Sequence, residues 1–123
     1  MAIFTIAARI KSISYALAGI ATMLRTQHNA WVHLAATVAV VFLGFWFSVS
    51  PLEWLALILA VVAVWSAEAL NTAFELLCDV ASPEFHPLVK QAKDVAAAAV
   101  LIAAVGAVAV GLLIFGPRLL ALV

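Results

Sequence analysis

The stretch LEWLALILAVVAVWSAEALNTAFELLCDV, residues 52–80, decides the fold. From Leu52 to Ala67 it carries a single charge, Glu53, and it is long enough for a helix to cross a hydrocarbon core of about 30 Å, which takes roughly 20 residues. Glu68, Glu75 and Asp79 then enter a pattern that is otherwise still apolar. At about 100° per residue, Glu68, Asn71, Thr72, Glu75 and Asp79 share one helical face. With a rise of 1.5 Å per residue from Leu52, Glu68 falls about 24 Å along the helix and Asp79 about 40 Å along. The polar stripe therefore begins inside one membrane boundary and runs out into the interface. A charge at membrane depth costs about 2.5–3.5 kcal/mol on insertion scales, so acids in such a place mark a functional site by default.

The rest of the chain fits this reading. Of 123 residues, 68% are hydrophobic and 10% charged, against roughly 45–50% and about 25% in soluble domains. Too little polar surface exists to wrap a water-soluble globule. Six basic residues balance six acidic ones, which excludes a polybasic nucleic-acid binder. The single cysteine, Cys78, has no partner for an intramolecular disulfide.

Two more apolar runs, about 30–48 and 94–115, join 52–80 as expected crossings, while about 4–25, interrupted by Arg9, Lys11 and Arg25, suits an amphipathic surface helix. The expected fold is one all-α membrane domain over 1–123, since sheet edges in lipid would leave backbone groups unsatisfied. Arg9, Lys11, Arg25, Lys90 and Lys93 place the N-terminus and the 81–94 connection in the cytoplasm and the C-terminus outside. Arg118 stands as the lone basic residue on the outer side. Ala99, Ala103, Ala107 and Gly111 form a small-residue stripe that favours close helix approach and a homo-oligomer.

Clustered acids need a cation. Lys90 and Lys93 supply one source, from a segment expected to be a loop, with Lys93 and Asp94 at the entrance of the last crossing and Asp94 as its cap. Bound Mg²⁺ is the other, being suited to carboxylate and amide oxygens together with nucleotide phosphates. Acids for a metal, a lysine for phosphates and one acid left as base are the minimum equipment for phosphoryl transfer. The chain has no G-x-x-x-x-G-K-[ST] loop, no dinucleotide-binding turn and no protein-kinase signature. His28, His33 and His86 lack metal-ligand spacing and read as interface residues. The competing class is a small ion or proton transporter using intramembrane carboxylates. Against it, the outer halves of the crossings carry almost no polar groups besides Glu53.

EALNTAFELLCD at Glu68–Asp79, EFHPL at Glu84–Leu88 and AKDVAAAAVL at Ala92–Leu101 closely resemble the prokaryotic diacylglycerol kinase family, which includes the undecaprenol kinases. The likeness extends to Ser14-Tyr15-Ala16, Gly19-Ile20 and Asn29–Leu34, so it covers nearly the whole chain. It implies a homotrimer of three-span subunits in the bacterial inner membrane. The implied reaction moves the ATP γ-phosphate, with Mg²⁺, to the hydroxyl of diacylglycerol or undecaprenol.

Carried across, Glu68 is implied as general base, Glu75 as metal ligand, and Asn71 and Asp79 as supporting groups. Tyr15, Glu84, Phe85, His86, Lys93 and Asp94 are implied on the nucleotide side, with Lys93 meeting the phosphates. Where many members place a second acidic metal ligand, this chain has Gln27, which can offer an amide oxygen but no charge. Arg9 sits one place off the family's usual basic position.

Overall fold

The computed structural model describes residues 4–123, which form four helices: α1 (Ile6–Thr26), α2 (His28–Trp46), α3 (Pro51–Ala81) and α4 (Pro87–Leu120). No strand occurs among the described residues. The helices α2, α3 and α4 are long and apolar enough to cross a membrane. Their outward faces carry large apolar side chains such as Phe42, Leu59, Ile102 and Leu113, the pattern expected where lipid is the solvent.

The boundaries follow from local chemistry. Thr5 caps α1 by accepting from the Ala8 N–H. Gln27 alone, in extended conformation, separates α1 from α2. At α3 a full capping box forms: the Ser50 hydroxyl accepts from the Glu53 N–H at 3.2 Å, and the Glu53 carboxylate accepts from the Ser50 N–H at 2.8 Å. Pro51 then occupies a first-turn position, where its fixed φ is pre-set for helix.

The last helix corrects an expectation. It begins at Pro87, not at 94, and only Ser82–His86 separates it from α3. Pro87 opens the helix instead of breaking it, and His86 caps it, its Nδ1 accepting from the Leu88 N–H at 3.2 Å. Lys90 and Lys93 are therefore helical. Asp94 is not the cap; it lies two turns in and pairs with Lys90 Nζ at 2.7 Å. Arg118 is likewise not an isolated charge. Its guanidinium grips Glu53 through two 2.9 Å bonds and donates to the Ile114 carbonyl at 2.6 Å, tying the end of α4 to the start of α3.

The same end of the bundle holds a core of Val49, Leu57, Ile114 and Phe115. The α2 C-terminus closes on it through a Schellman turn, with Val49 N–H bonded to Gly44 O and Ser48 N–H to Phe45 O. Ser48 takes the left-handed conformation (φ 49°). Gly44 is required by a close approach, since a Cβ there would overlap the Trp54 indole. Gly44→Ala should lower stability by about 1–3 kcal/mol through overpacking. An unfolding midpoint in micelles equal to that of the native chain would contradict that contact.

Candidate functional site

At the other end, the polar stripe of α3 grades from buried to exposed. Glu68 is 0% exposed, Asn71 and Thr72 are buried, Glu75 is half-buried and Asp79 is exposed. Thr72 bonds the Glu68 carbonyl at 2.8 Å, which satisfies its hydroxyl within the helix. The Glu68 carboxylate has no hydrogen-bond partner among the described residues, and the buried Asn71 Oδ1 has none either. Both groups line a cavity of about 250 Å³, walled by Asn29 and His33 from α2 and by Ala97, Val100 and Leu101 from α4. Burying an unsatisfied carboxylate is costly, which singles Glu68 out as a candidate functional group.

One turn further out, Glu75 gathers two amides. Gln27 Nε2 donates to Oε2 at 3.1 Å and Asn71 Nδ2 approaches Oε1 at 3.4 Å. The residue that joins α1 to α2 is thus brought onto the acidic stripe of α3. Among the described residues no group of three His, Cys, Asp or Glu side chains could hold a metal alone. The donor set is one carboxylate with two amides, which suits a hard cation completing its shell with phosphate and water.

Further out still, Lys93 Nζ bonds Asp79 Oδ1 at 2.9 Å, joining the end of α3 to the second turn of α4. This pair borders a cavity of about 360 Å³ that also takes in Glu84, Phe85, His86 and Asp94. The hairpin between α3 and α4 places these groups together because five residues suffice to reverse the chain, with Ser82 bonding the Glu84 carbonyl at 3.0 Å. Of the residues read as nucleotide contacts, Tyr15 alone lies elsewhere. It is exposed on α1, with Lys11 Nζ 5.8 Å from its ring centroid.

Sequence reading missed His33. Its Nε2 lies 3.3 Å from Glu68 Oε2, an approach that lacks hydrogen-bond alignment and leaves both atoms otherwise unpartnered. No local signal could have paired residues so far apart in the chain. The pairing depends on α2 and α3 packing in one particular register.

Three helices long and apolar enough to cross a membrane, with a graded acidic stripe and a lysine at its polar end, define an integral-membrane protein with a charged site at one end of its helices. Residues 14–115 match the family model for prokaryotic diacylglycerol kinase. The chain is 43% identical over 109 residues to an undecaprenol kinase of Bacillus subtilis, covering 89% of each chain. It is 40% identical over 117 residues to a diacylglycerol kinase of Synechocystis, covering 90% of this chain and 64% of that one. A diacylglycerol kinase of Escherichia coli is 36% identical over 86 residues, with 64% of this chain and 70% of that one covered. The chain belongs to the prokaryotic diacylglycerol kinase family. It is a membrane lipid kinase that uses ATP as co-substrate to phosphorylate a lipid alcohol.

Proposed function

We propose that the acceptor is undecaprenol, that Glu68 is the general base, and that Mg²⁺ is held by Glu75 with Gln27 and Asn71. The observation that carries this reading is the fully buried Glu68 carboxylate, without a hydrogen-bond partner among the described residues, on a helix long and apolar enough to cross a membrane and charged at its outer end. The choice of polyprenol is supported by the Bacillus subtilis undecaprenol kinase, with which the match spans 89% of both chains.

In this reading the lipid lies in the bilayer with its hydroxyl at the Glu68 cavity. Glu68 accepts the hydroxyl proton as the lipid oxygen attacks the γ-phosphorus and ADP leaves. Glu75 would supply the anionic oxygen for the metal, and the Gln27 and Asn71 amides would offer their oxygens beside it. Mg²⁺, when bound, offsets the negative charge of the β- and γ-phosphates. Lys93 exchanges Asp79 for phosphate oxygens, an exposed ion pair being cheap to give up. Glu84, Phe85, His86 and Asp94 border the nucleotide. Tyr15 would reach it only from α1, and Asp79 keeps Lys93 in place until ATP arrives.

The charged end faces the cytoplasm, as the basic residues Arg25, Lys90 and Lys93 favour, and the C-terminus lies outside. A homotrimer would cover part of the apolar surface that one subunit leaves exposed.

The test is the purified chain in mixed micelles with labelled ATP, Mg²⁺ and either undecaprenol or dioleoylglycerol. Label is expected on undecaprenol in preference. Preferential labelling of dioleoylglycerol would overturn the acceptor, as would label on neither, which would point to a different lipid alcohol. Lys93→Met should raise the KM for ATP about 10-fold or more, the loss of one charge-assisted contact. An unchanged KM would remove Lys93 from the phosphates.

A further inference from the structure

His33 sits where two cavities meet. The polar pocket of Glu68 and an apolar groove of about 320 Å³, lined by Val40, Val61, Ala107 and Val108, share only His33 and Ala104. The imidazole is 13% exposed, and its Nε2 is buried without a hydrogen bond although the Glu68 carboxylate lies 3.3 Å away. Trp65 borders the ring, and the indole is itself tied to the His33 backbone through Thr37. Thr37 Oγ1 donates to the His33 carbonyl at 2.7 Å, Trp65 Nε1 donates to that hydroxyl at 3.0 Å, and the Trp65 ring meets the imidazole at 69° with centroids 6.4 Å apart. Two neighbouring buried groups, each short of a partner, are matched to each other. Contacts of this kind are often long before substrate arrives and tighten in the reactive complex.

We propose that His33 is a positioning residue for Glu68: its Nε2–H holds the carboxyl in the rotamer that faces the lipid hydroxyl. The proposal rests on the reading of Glu68 as base. His33 does not touch the nucleotide pocket, whose lining comes from α3, α4 and the segment between them. Its loss should therefore act on turnover and spare ATP binding.

The experiment compares full-length variants in the mixed-micelle assay, with membrane insertion and unfolding midpoint recorded for each. His33→Leu should lower kcat about 10- to 100-fold, the range for losing a group that orients a reactive one, while the KM for ATP stays within about twofold. His33→Gln, which keeps an N–H donor, should recover turnover to within about threefold of native. In a Glu68→Asp background, where the shortened side chain already withdraws from the imidazole, His33→Leu should cost less than about threefold, because the two changes remove one interaction.

Equal losses in the Leu and Gln variants would overturn the proposal, as would a loss that multiplies fully in the Glu68→Asp background. If His33→Leu fails to insert, His33→Met, which keeps bulk without an N–H donor, takes its place against His33→Gln with the same criteria. Glu68→Gln separates the two claims: near-native turnover in that variant would refute the base itself. A His33→Leu loss confined to a native Glu68 supports the positioning role.

Discussion

Glu68→Gln is expected to insert, fold and bind ATP while lipid phosphorylation falls about 10³- to 10⁴-fold, near the upper end of what a positioned general base contributes. The substitution changes one oxygen to an amide within the same volume, so the cavity between α2, α3 and α4 keeps its shape. It also removes a buried group that has no donor of its own, and such a group lowers stability when ionised. The unfolding midpoint should accordingly stay level or rise as activity falls. That opposite movement distinguishes loss of chemistry from loss of fold. A variant that turns over at near-native rate would end the assignment of Glu68 as base.

Glu75→Gln should act on a different variable. The new amide keeps one oxygen to accept from Gln27 Nε2, and its NH2 can donate to Asn71 Oδ1 once that amide rotates, so α1 should remain seated on α3. The donor set of Glu75, Gln27 and Asn71 would become entirely neutral. Turnover at fixed Mg²⁺ should fall about 100-fold, with part of the loss recovered at higher Mg²⁺, as expected when a metal-site group is weakened. A Mg²⁺ dependence identical to that of the native chain would place the metal elsewhere.

Periodicity and composition carried the fold because lipid is an undemanding solvent to predict for. A helix there needs only length and apolar side chains, and residues 52–80 supplied both. The acidic stripe was legible for the same reason: five polar residues on one face of a single helix need no tertiary information. The start of α4 was misread because prolines at 83 and 87 look alike in sequence and each follows a residue able to cap; Ser82 spends its hydroxyl on the Glu84 carbonyl, whereas His86 accepts from the Leu88 N–H and opens the helix. The cross-helix pairs, His33 with Glu68, Gln27 with Glu75 and Arg118 with Glu53, depend on which faces meet. That is a property of packing register, and apolar sequence specifies it only weakly. Family resemblance set Gln27 where many members place a second acidic metal ligand. It said nothing of His33.

The graded burial of α3 also bears on how the enzyme chooses between reactants. From Glu68 to Asp79 the helix rises about 16 Å, passing from full burial to open water. On the proposed reading, an alcohol and a triphosphate meet because each stops at the level its own polarity allows. The helix then works as a depth gauge, and an alcohol is accepted first for how far its hydroxyl floats beneath the headgroups. Bilayer thickness thereby becomes a determinant of specificity, as much as any side chain that touches the lipid.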